Sequence, residues 1–286
     1  MPTTYKRGLL PDAPDLEAYF RRIGYAGPRT ATFDTLAALH LLHPQAIPFE
    51  NLDTLLRRPI MLSTAALERK MLSGGRGGWC YEHNLLLGGV LEALGFQVTG
   101  YAARMLRTMP EGVTLPRTHM LLGVEWGSGE ATDFCLADVG LGVMTFTGPL
   151  RLISDVEQST PHGTFRLLET GRGSFVTQAL LHGEWQSIYS FDLQPQMLAD
   201  YEMHNWYLSH FPESVLLNNL MATRAAPGRR YALFNNRFTT HHLGGESDKV
   251  MLTSPGELRE VLEGAFQIRL PEDPGLEGVL GRIAGM

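Results

Sequence analysis

The stretch RGGWCYEHN, Arg76 to Asn84, closes the glycine-rich run SGGRGG (Ser73 to Gly78) and sets a tryptophan and a cysteine before a helix-like sequence. From Tyr81 to Leu94 the apolar residues Leu87, Val90, Leu91 and Leu94 recur at helical spacing, and Gly95 supplies a C-terminal stop. A glycine-rich turn leading into a helix can cradle phosphate, but no Lys-Ser or Lys-Thr follows and GxGxxG is absent. The turn then reads as one that presents Cys80 at a helix N-terminus. Free backbone N–H groups and the helix dipole favour a thiolate there. Packing is the competing reading, since free cysteine is among the most buried residue types. Gly88 and Gly89 inside the helix each cost about 1 kcal/mol relative to alanine, which predicts another backbone packed close to them.

Outward from this stretch, residues 1–95 read as helices. Asp15 caps LEAYFRRIG and Gly24 ends it. Thr32 or Asp34 caps DTLAALHLLHPQA, with Pro44 and Pro48 marking its end. Ser63 precedes TAALERKMLSG, where Ala66, Leu67 and Met71 share a face. After Gly95 the texture changes. FQVTGYAARML, HMLLGVEW, ATDFCLADVG, TFRLLET and EWQSIYSFDL are short, β-branched or aromatic, and punctuated by glycine. They predict antiparallel strands in a small barrel to about residue 200, with Gly127, Gly129, Gly171 and Gly173 in turns. Residues 201–286 are mixed. DYEMHNWYLSHFP begins as a short helix or turn, RYALFNNRFTTHHL and KVMLTS read as strands, and SPGELREVLEGAF as a helix capped by Ser254 with Glu257 three residues on. The organisation is therefore three-part: 1–95, 96–200 and 201–286.

The 286 residues carry 24 basic and 30 acidic side chains, and no basic stripe that would hold a phosphate backbone, which excludes nucleic acid as a partner. The start MPTTYKRGLLPDAPDLEAYF lacks an apolar core for a signal peptide, and no apolar run is long enough to span a bilayer. A cytoplasmic location is expected. The chain's 2 cysteines are far apart, and a Cys80–Cys135 bridge is not expected in a reducing compartment.

A catalytic thiolate needs a base, and the base needs an orienting group. His83 is near in sequence, but its helix points it along the side, so it reads as a pocket-rim residue. His119 opens the strand HMLLGVEW directly after the loop PEGVTLPRT, the kind of edge where a scaffold offers side chains to a cleft. Alternation puts His119, Leu121 and Gly123 on one face. Asp138 ends an apolar strand, where a carboxylate is costly unless paired; an imidazole N–H would satisfy it. Cys135 and Asp138 fall on opposite strand faces, so Cys135 reads as core. A structural histidine and a turn-capping acid are the rival readings of His119 and Asp138. A zinc site has little support: there is no cysteine knuckle or HExxH, and His241 and His242 face opposite ways on a strand. His204, His210, His241 and His242 read as structural or rim residues.

Taken together, IPFENLD (Ile47 to Asp53), RGGWCYEHN, RTHMLLGV (Arg117 to Val124), LADVGLG (Leu136 to Gly142) and NWYLSHFPES (Asn205 to Ser214) make the chain resemble the arylamine N-acetyltransferases over nearly its whole length. The resemblance implies an α+β fold: an N-terminal helical bundle, a central antiparallel β-barrel and a C-terminal α/β lid, the first two similar to the papain-like core of cysteine proteases and transglutaminases. It implies a Cys-His-Asp triad of Cys80, His119 and Asp138. It implies acetyl-CoA as the acyl-donor co-substrate, no metal, and an arylamine, arylhydrazine or N-hydroxyarylamine as acceptor. Monomer and homodimer both stay open. Phe49, Leu141 and Leu216 match positions that tend to line the acceptor pocket. Leucine stands at Leu141 and near Leu216 where family members tend to carry phenylalanine, which implies an altered acceptor range.

Two other functions use the same residues. A hydrolase or transglutaminase-like enzyme could run on the same triad, and IPFENLD and NWYLSHFPES argue against it. A binding module that kept the fold would not need all three triad residues.

Overall fold

The computed structural model describes residues 8–107, 114–128 and 131–286. The first residues of the signal-peptide reading, residues 108–113 of the loop before His119 and the Gly129 turn lie outside these.

The first helices follow their caps. In α1 (Leu16–Ile23) the Asp15 side chain accepts from the Ala18 N–H, and Gly24 closes the helix at φ 69°. Thr32 caps α2 (Phe33–Ala46). Here Pro44 does not end the helix. Lying in the last turn, it forfeits one backbone bond, and the helix runs on to close with Ile47 N–H on His43 C=O at 2.8 Å. Strand β1 (Phe49–Glu50) and the short α3 (Leu52–Leu55) and α4 (Thr64–Leu67) follow. The helix predicted over TAALERKMLSG changes character after Leu67, becoming a π turn over Glu68–Ser73. Leu67 and Met71 are buried, while Ala66 is only half-buried. The helix bearing the cysteine, α5 (Cys80–Ala93), starts one residue before Tyr81.

The Gly88–Gly89 pair receives side chains, not the backbone that was expected. A Cβ at Gly88 would stand 2.5 Å from Leu9 Cδ1, and one at Gly89 2.8 Å from Leu10 Cδ1. Leu9 and Leu10 are buried in this notch, and Glu92 accepts the Leu9 N–H.

Eight strands then form one antiparallel sheet: β2 (Gln97–Met105), β3 (His119–Ser128), β4 (Ala131–Ala137), β5 (Leu150–Arg151), β6 (Gln158–Thr160), β7 (Gly163–Gly171), β8 (Ser174–Leu181) and β9 (Glu184–Gln196). Their order is β5-β4-β3-β2-β9-β8-β7-β6. The two edge strands meet through one side chain. The Gln158 amide accepts the Arg151 N–H at 2.7 Å and donates to the Arg151 C=O at 2.9 Å, so the barrel is nearly closed. Leu121 and Leu136 face the barrel interior with Phe146, Phe165 and Tyr189. Met120, Leu122, Val124, Cys135 and Ala137 point the other way, onto the helices. Alternation thus works as predicted, and buried Cys135 belongs to the helix side.

The remainder holds α6 (Leu198–His210), α7 (Val215–Asn218), strands β10 (Met221–Ala226), β11 (Arg229–Phe234), β12 (Arg237–His242) and β13 (Ser247–Met251), then α8 (Pro255–Gly264) and α9 (Leu276–Ala284). DYEMHNWYLSHFP, read as beginning with a short helix or turn, lies as far as His210 in a 13-residue helix. The five-stranded sheet runs β1-β10-β11-β12-β13. Its first strand comes from the helical segment, so Phe49 pairs with Thr223. Among the described residues no helix is long and apolar enough to cross a membrane.

Candidate active site

The glycine-rich turn is anchored from below by charge. Arg76 pairs with Glu50 at 2.8 Å and Asp53 at 3.1 Å, and Lys70, from the π turn, with Asp53 at 2.7 Å and Glu82 at 2.8 Å. All five groups are mostly buried, a placement that is tolerated only because each is paired. Burial alone would depress the Lys70 ammonium, but the surrounding carboxylates raise it. Glu82 also accepts the Trp79 N–H at 3.0 Å, fixing the entry to α5. The close approach at Gly77 is to the chain itself: a Cβ there would sit 1.8 Å from the Pro48 carbonyl oxygen.

Cys80 therefore stands at the first position of α5, 5% exposed, with its sulfur 3.8 Å from the Thr118 carbonyl. Thr118 immediately precedes His119, at the start of β3. His119 Nε2 lies 2.6 Å from Asp138 Oδ2, and both residues are buried. With Nε2 engaged, Nδ1 is the ring nitrogen left to face the Cys80 thiol, which lies close enough to help hold the imidazole proton. Burial pulls the imidazole down, but the Asp138 carboxylate, its hydrogen bond and the Cys80 contact outweigh it and lift His119 to about 10. The three sequence-predicted groups thus form one buried chain, thiol to imidazole to carboxylate. Both cysteines are free.

Asn84 is the residue that local reading missed. Four residues after Cys80, on the same helix face, it donates to Asp138 Oδ1 at 3.0 Å and to the Met120 carbonyl at 2.7 Å, and accepts the Val139 N–H at 3.0 Å. It ties the helix of Cys80 to the strand of His119 and to the end of β4. The i, i+4 spacing from the thiol was its only sequence signal. Gly140 donates its N–H to Asp138 Oδ1 at 3.0 Å, and His40 Nε2 accepts the Asp138 N–H at 2.9 Å. Burial pushes His40 down to about 4, so it accepts as a neutral ring. Tyr189, from β9, tilts against His119 with ring centroids 5.2 Å apart.

Gly140 is a point of contact between barrel and helix. A Cβ there would lie 2.6 Å from Cys80 Cα and 2.9 Å from the Cys80 carbonyl oxygen. Backbone cannot yield as a side chain can. Gly140→Ala is expected to destabilise by about 1–3 kcal/mol and to lower kcat/KM by about a hundredfold through misplacement of the thiol. Urea denaturation and steady-state rates check the two effects.

The three expected pocket residues are placed less uniformly. Phe49, 9% exposed, bridges to Gly78 next to Trp79. A Cβ at Gly142 would be 3.9 Å from its ring and 3.6 Å from Thr223 Oγ1, so Phe49 and the 141–142 corner adjoin. Leu141 packs onto the barrel-interior cluster, and Leu216 onto the helical one. The Leu216 carbonyl accepts from Asn51 at 2.6 Å and Thr54 at 2.9 Å, so IPFENLD also holds α7. Asn205 of NWYLSHFPES accepts from Trp79 Nε1 at 3.1 Å and donates to the Ile60 carbonyl at 3.0 Å. His83, expected on a rim, is fully buried. His204 Nδ1 is buried without a hydrogen-bond partner among the described residues, while His210, His241 and His242 make local hydrogen bonds. Among the described residues no cluster of three or more His, Cys, Asp or Glu could hold a metal ion.

A model of the N-acetyltransferase family matches residues 32–274. The chain is 41% identical over 254 residues to an arylamine N-acetyltransferase of Escherichia coli, covering 88% of each chain. The solved arylamine N-acetyltransferase of M. tuberculosis superposes with a TM-score of 0.88 at 37% identity, over 93% of this chain and 100% of that one. That of Mycobacterium marinum in complex with CoA superposes with a TM-score of 0.88 at 35% identity, over 94% and 99%.

Proposed function

The chain belongs to the arylamine N-acetyltransferase family, and from that premise we propose that Cys80, His119 and Asp138 carry acetyl from acetyl-CoA to arylamine nitrogen in two half-reactions. The observation that carries the reading is the buried placement of the thiol at the head of α5 against the Thr118–His119 start of β3, with the His119 imidazole bonded to Asp138 at 2.6 Å. The CoA bound by the M. marinum relative supports acetyl-CoA as donor.

In the first half-reaction the Cys80 thiolate attacks the thioester carbonyl carbon. The C–S bond to CoA breaks, and the His119 imidazolium gives its proton to the departing CoA thiolate. An acetyl-cysteine and a neutral His119 remain. In the second, the arylamine nitrogen attacks the acetyl-cysteine carbonyl. His119 takes a proton from nitrogen, and the Cys80 sulfur leaves as thiolate, restoring the starting pair. Backbone N–H groups of the first turn have no intrahelical partner, and in this reading that of Cys80 donates to the oxyanion. Asp138 holds the imidazole and stabilises its positive form. In this reading residues 1–95 supply the thiol, 96–200 the imidazole and carboxylate, and 201–286 a lid that keeps water from the acetyl-cysteine. The protein works in the cytoplasm, on small aromatic amines, hydrazines or N-hydroxyarylamines.

Incubation with acetyl-CoA, without acceptor, tests the reading. Intact mass should rise by one acetyl group, mapped to the peptide of Cys80, with one CoA released. An unchanged mass with no free CoA overturns it.

Phe49, Leu141 and Leu216 line the acceptor side in this reading. Leucine at 141 removes a flat stacking face and leaves room for a bulky ring. Leu141→Phe is expected to lower the rate for a bulky aniline relative to a small one by about tenfold, the range that pocket fit commands. An unchanged ratio removes Leu141 from selectivity.

A further inference from the structure

A second line of titratable groups runs through the helical segment, and the acetyl transfer does not use it. Tyr19 of α1, His43 of α2 and His83 of α5 are all completely buried. Tyr19 Oη lies 2.9 Å from His43 Nδ1, His43 Nε2 lies 2.9 Å from His83 Nδ1, and His83 Nε2 lies 3.1 Å from the Pro48 carbonyl oxygen.

The carbonyl at one end sets every proton. Pro48 C=O can only accept, so His83 Nε2 carries the hydrogen. Burial pushes His83 down to about 4 and His43 well below its usual range, so both rings are neutral. His83 Nδ1 is then bare and accepts from His43 Nε2–H. His43 Nδ1 is bare in turn and accepts the Tyr19 hydroxyl. Each link has one hydrogen, and all point towards Pro48. Turning a ring over would put a C–H where each nitrogen now bonds, and moving a proton to the other nitrogen would set two donors or two lone pairs face to face, so the orientation of His83 is fixed.

What that orientation holds is Phe49. The rings of Phe49 and His83 are nearly parallel, 5° apart in plane, with centroids at 6.4 Å. Pro48 is the residue before Phe49. The β bridges to Gly78 and Thr223 fix the Phe49 backbone, whereas the ring has the imidazole face for its wall. We propose that the Tyr19–His43–His83 chain is a positioning device for the acceptor side of the site: it fixes the face against which Phe49 lies and so sets how aromatic amines are received, without acting on the thiol. The inference rests on Phe49 lining the acceptor pocket.

His83→Gln tests it, because a glutamine amide can still donate to Pro48 while the flat ring is lost. The rate constant for acetylation of the enzyme by acetyl-CoA and that for deacetylation of the acetyl-enzyme by aniline are measured separately. Each is measured with Phe49 present and with Phe49→Leu. Deacetylation is expected to slow by about fivefold when Phe49 is present and by less than about twofold in Phe49→Leu, as coupled neighbours require. In either background His83→Gln should change acetylation by less than about twofold. A merely structural role would slow both steps alike, or slow deacetylation equally in both backgrounds, and either result overturns the proposal. Should His83→Gln fail to fold, Tyr19→Phe, which deletes only the far hydroxyl, is read by the same cycle and the same criteria. Absence of acetylation in the wild type would instead overturn the acetyl-transfer reading itself.

Discussion

Cys80→Ala is expected to lower arylamine acetylation by at least about ten-thousandfold, as removal of a nucleophile does when the rest of the site cannot replace it. The sulfur is the one atom in this reading that bonds to the acetyl carbon. His119 cannot stand in, because Nε2 is held by Asp138 at 2.6 Å and Nδ1 faces the vacated sulfur position. The fold should survive. Cys80 fills little volume, and the anchors of its turn, Arg76 with Glu50 and Glu82 with the Trp79 N–H, do not involve the thiol. The variant should therefore melt within a few degrees of wild type, bind no acetyl by intact mass and release no burst of CoA. Retention of the acetyl adduct would move the nucleophile elsewhere.

Much of this site was legible because its parts are locally encoded. Ser254, Pro255 and Glu257 specify the start of α8, and the Ser254 and Glu257 side chains do cap it. Alternation in HMLLGVEW correctly separated the barrel face of Leu121 from the helix face of Met120, Leu122 and Val124. Cys80, His119 and Asp138 were plausible one by one from turn, strand edge and strand end. Their meeting is a long-range fact that no local period encodes, and only the resemblance joined them. The misreadings share that cause. His83 looked like a rim residue because helical periodicity cannot show His43, 40 residues earlier, turning up as its partner. The glycine pair of α5 announced a close neighbour but not that Leu9 and Leu10 would be it. The π turn carries Lys70, whose pairing with Asp53 and Glu82 is a tertiary fact that the helical pattern around it cannot show.

Asp138→Asn is expected to cost about ten-thousandfold in kcat/KM while leaving the geometry in place, and the reason lies in the tautomer. Asp138 Oδ1 accepts from Asn84 and from the Gly140 N–H. An asparagine must keep its carbonyl there, so its NH2 takes the place of Oδ2 and points at His119 Nε2. That nitrogen must then accept, and the proton moves to Nδ1, facing the sulfur. With the carboxylate gone, burial dominates and the ring is neutral at pH 7. A neutral ring that already carries hydrogen on Nδ1 cannot take the proton of the thiol. Alkylation of Cys80 by iodoacetamide at pH 7 should slow together with turnover. If turnover falls but alkylation does not, Asp138 serves the acceptor half-reaction alone.

The same pair predicts how stability depends on pH. His119 holds its proton to about 10 in the folded protein, whereas an unfolded histidine loses it near 6.5. Between those values His119 holds one proton more in the native state, but below about 8.5 the thiolate of the resting pair holds one fewer than the unfolded thiol and the two cancel. Above that value the excess is uncompensated, and stability falls as pH rises by up to about 1.4 kcal/mol per unit through the loss of the His119 contribution. The contribution is fully present below the unfolded value and lost as pH passes through about 10. In Asp138→Asn the native ring has no carboxylate to hold that proton, so this downward slope should disappear. Urea midpoints at pH 6.5 and 9.5 should therefore separate for the wild type and draw together for the variant. An equal fall in both would assign the slope to other groups and leave His119 uncharged in the native state, which removes the imidazolium that the departing CoA thiolate requires.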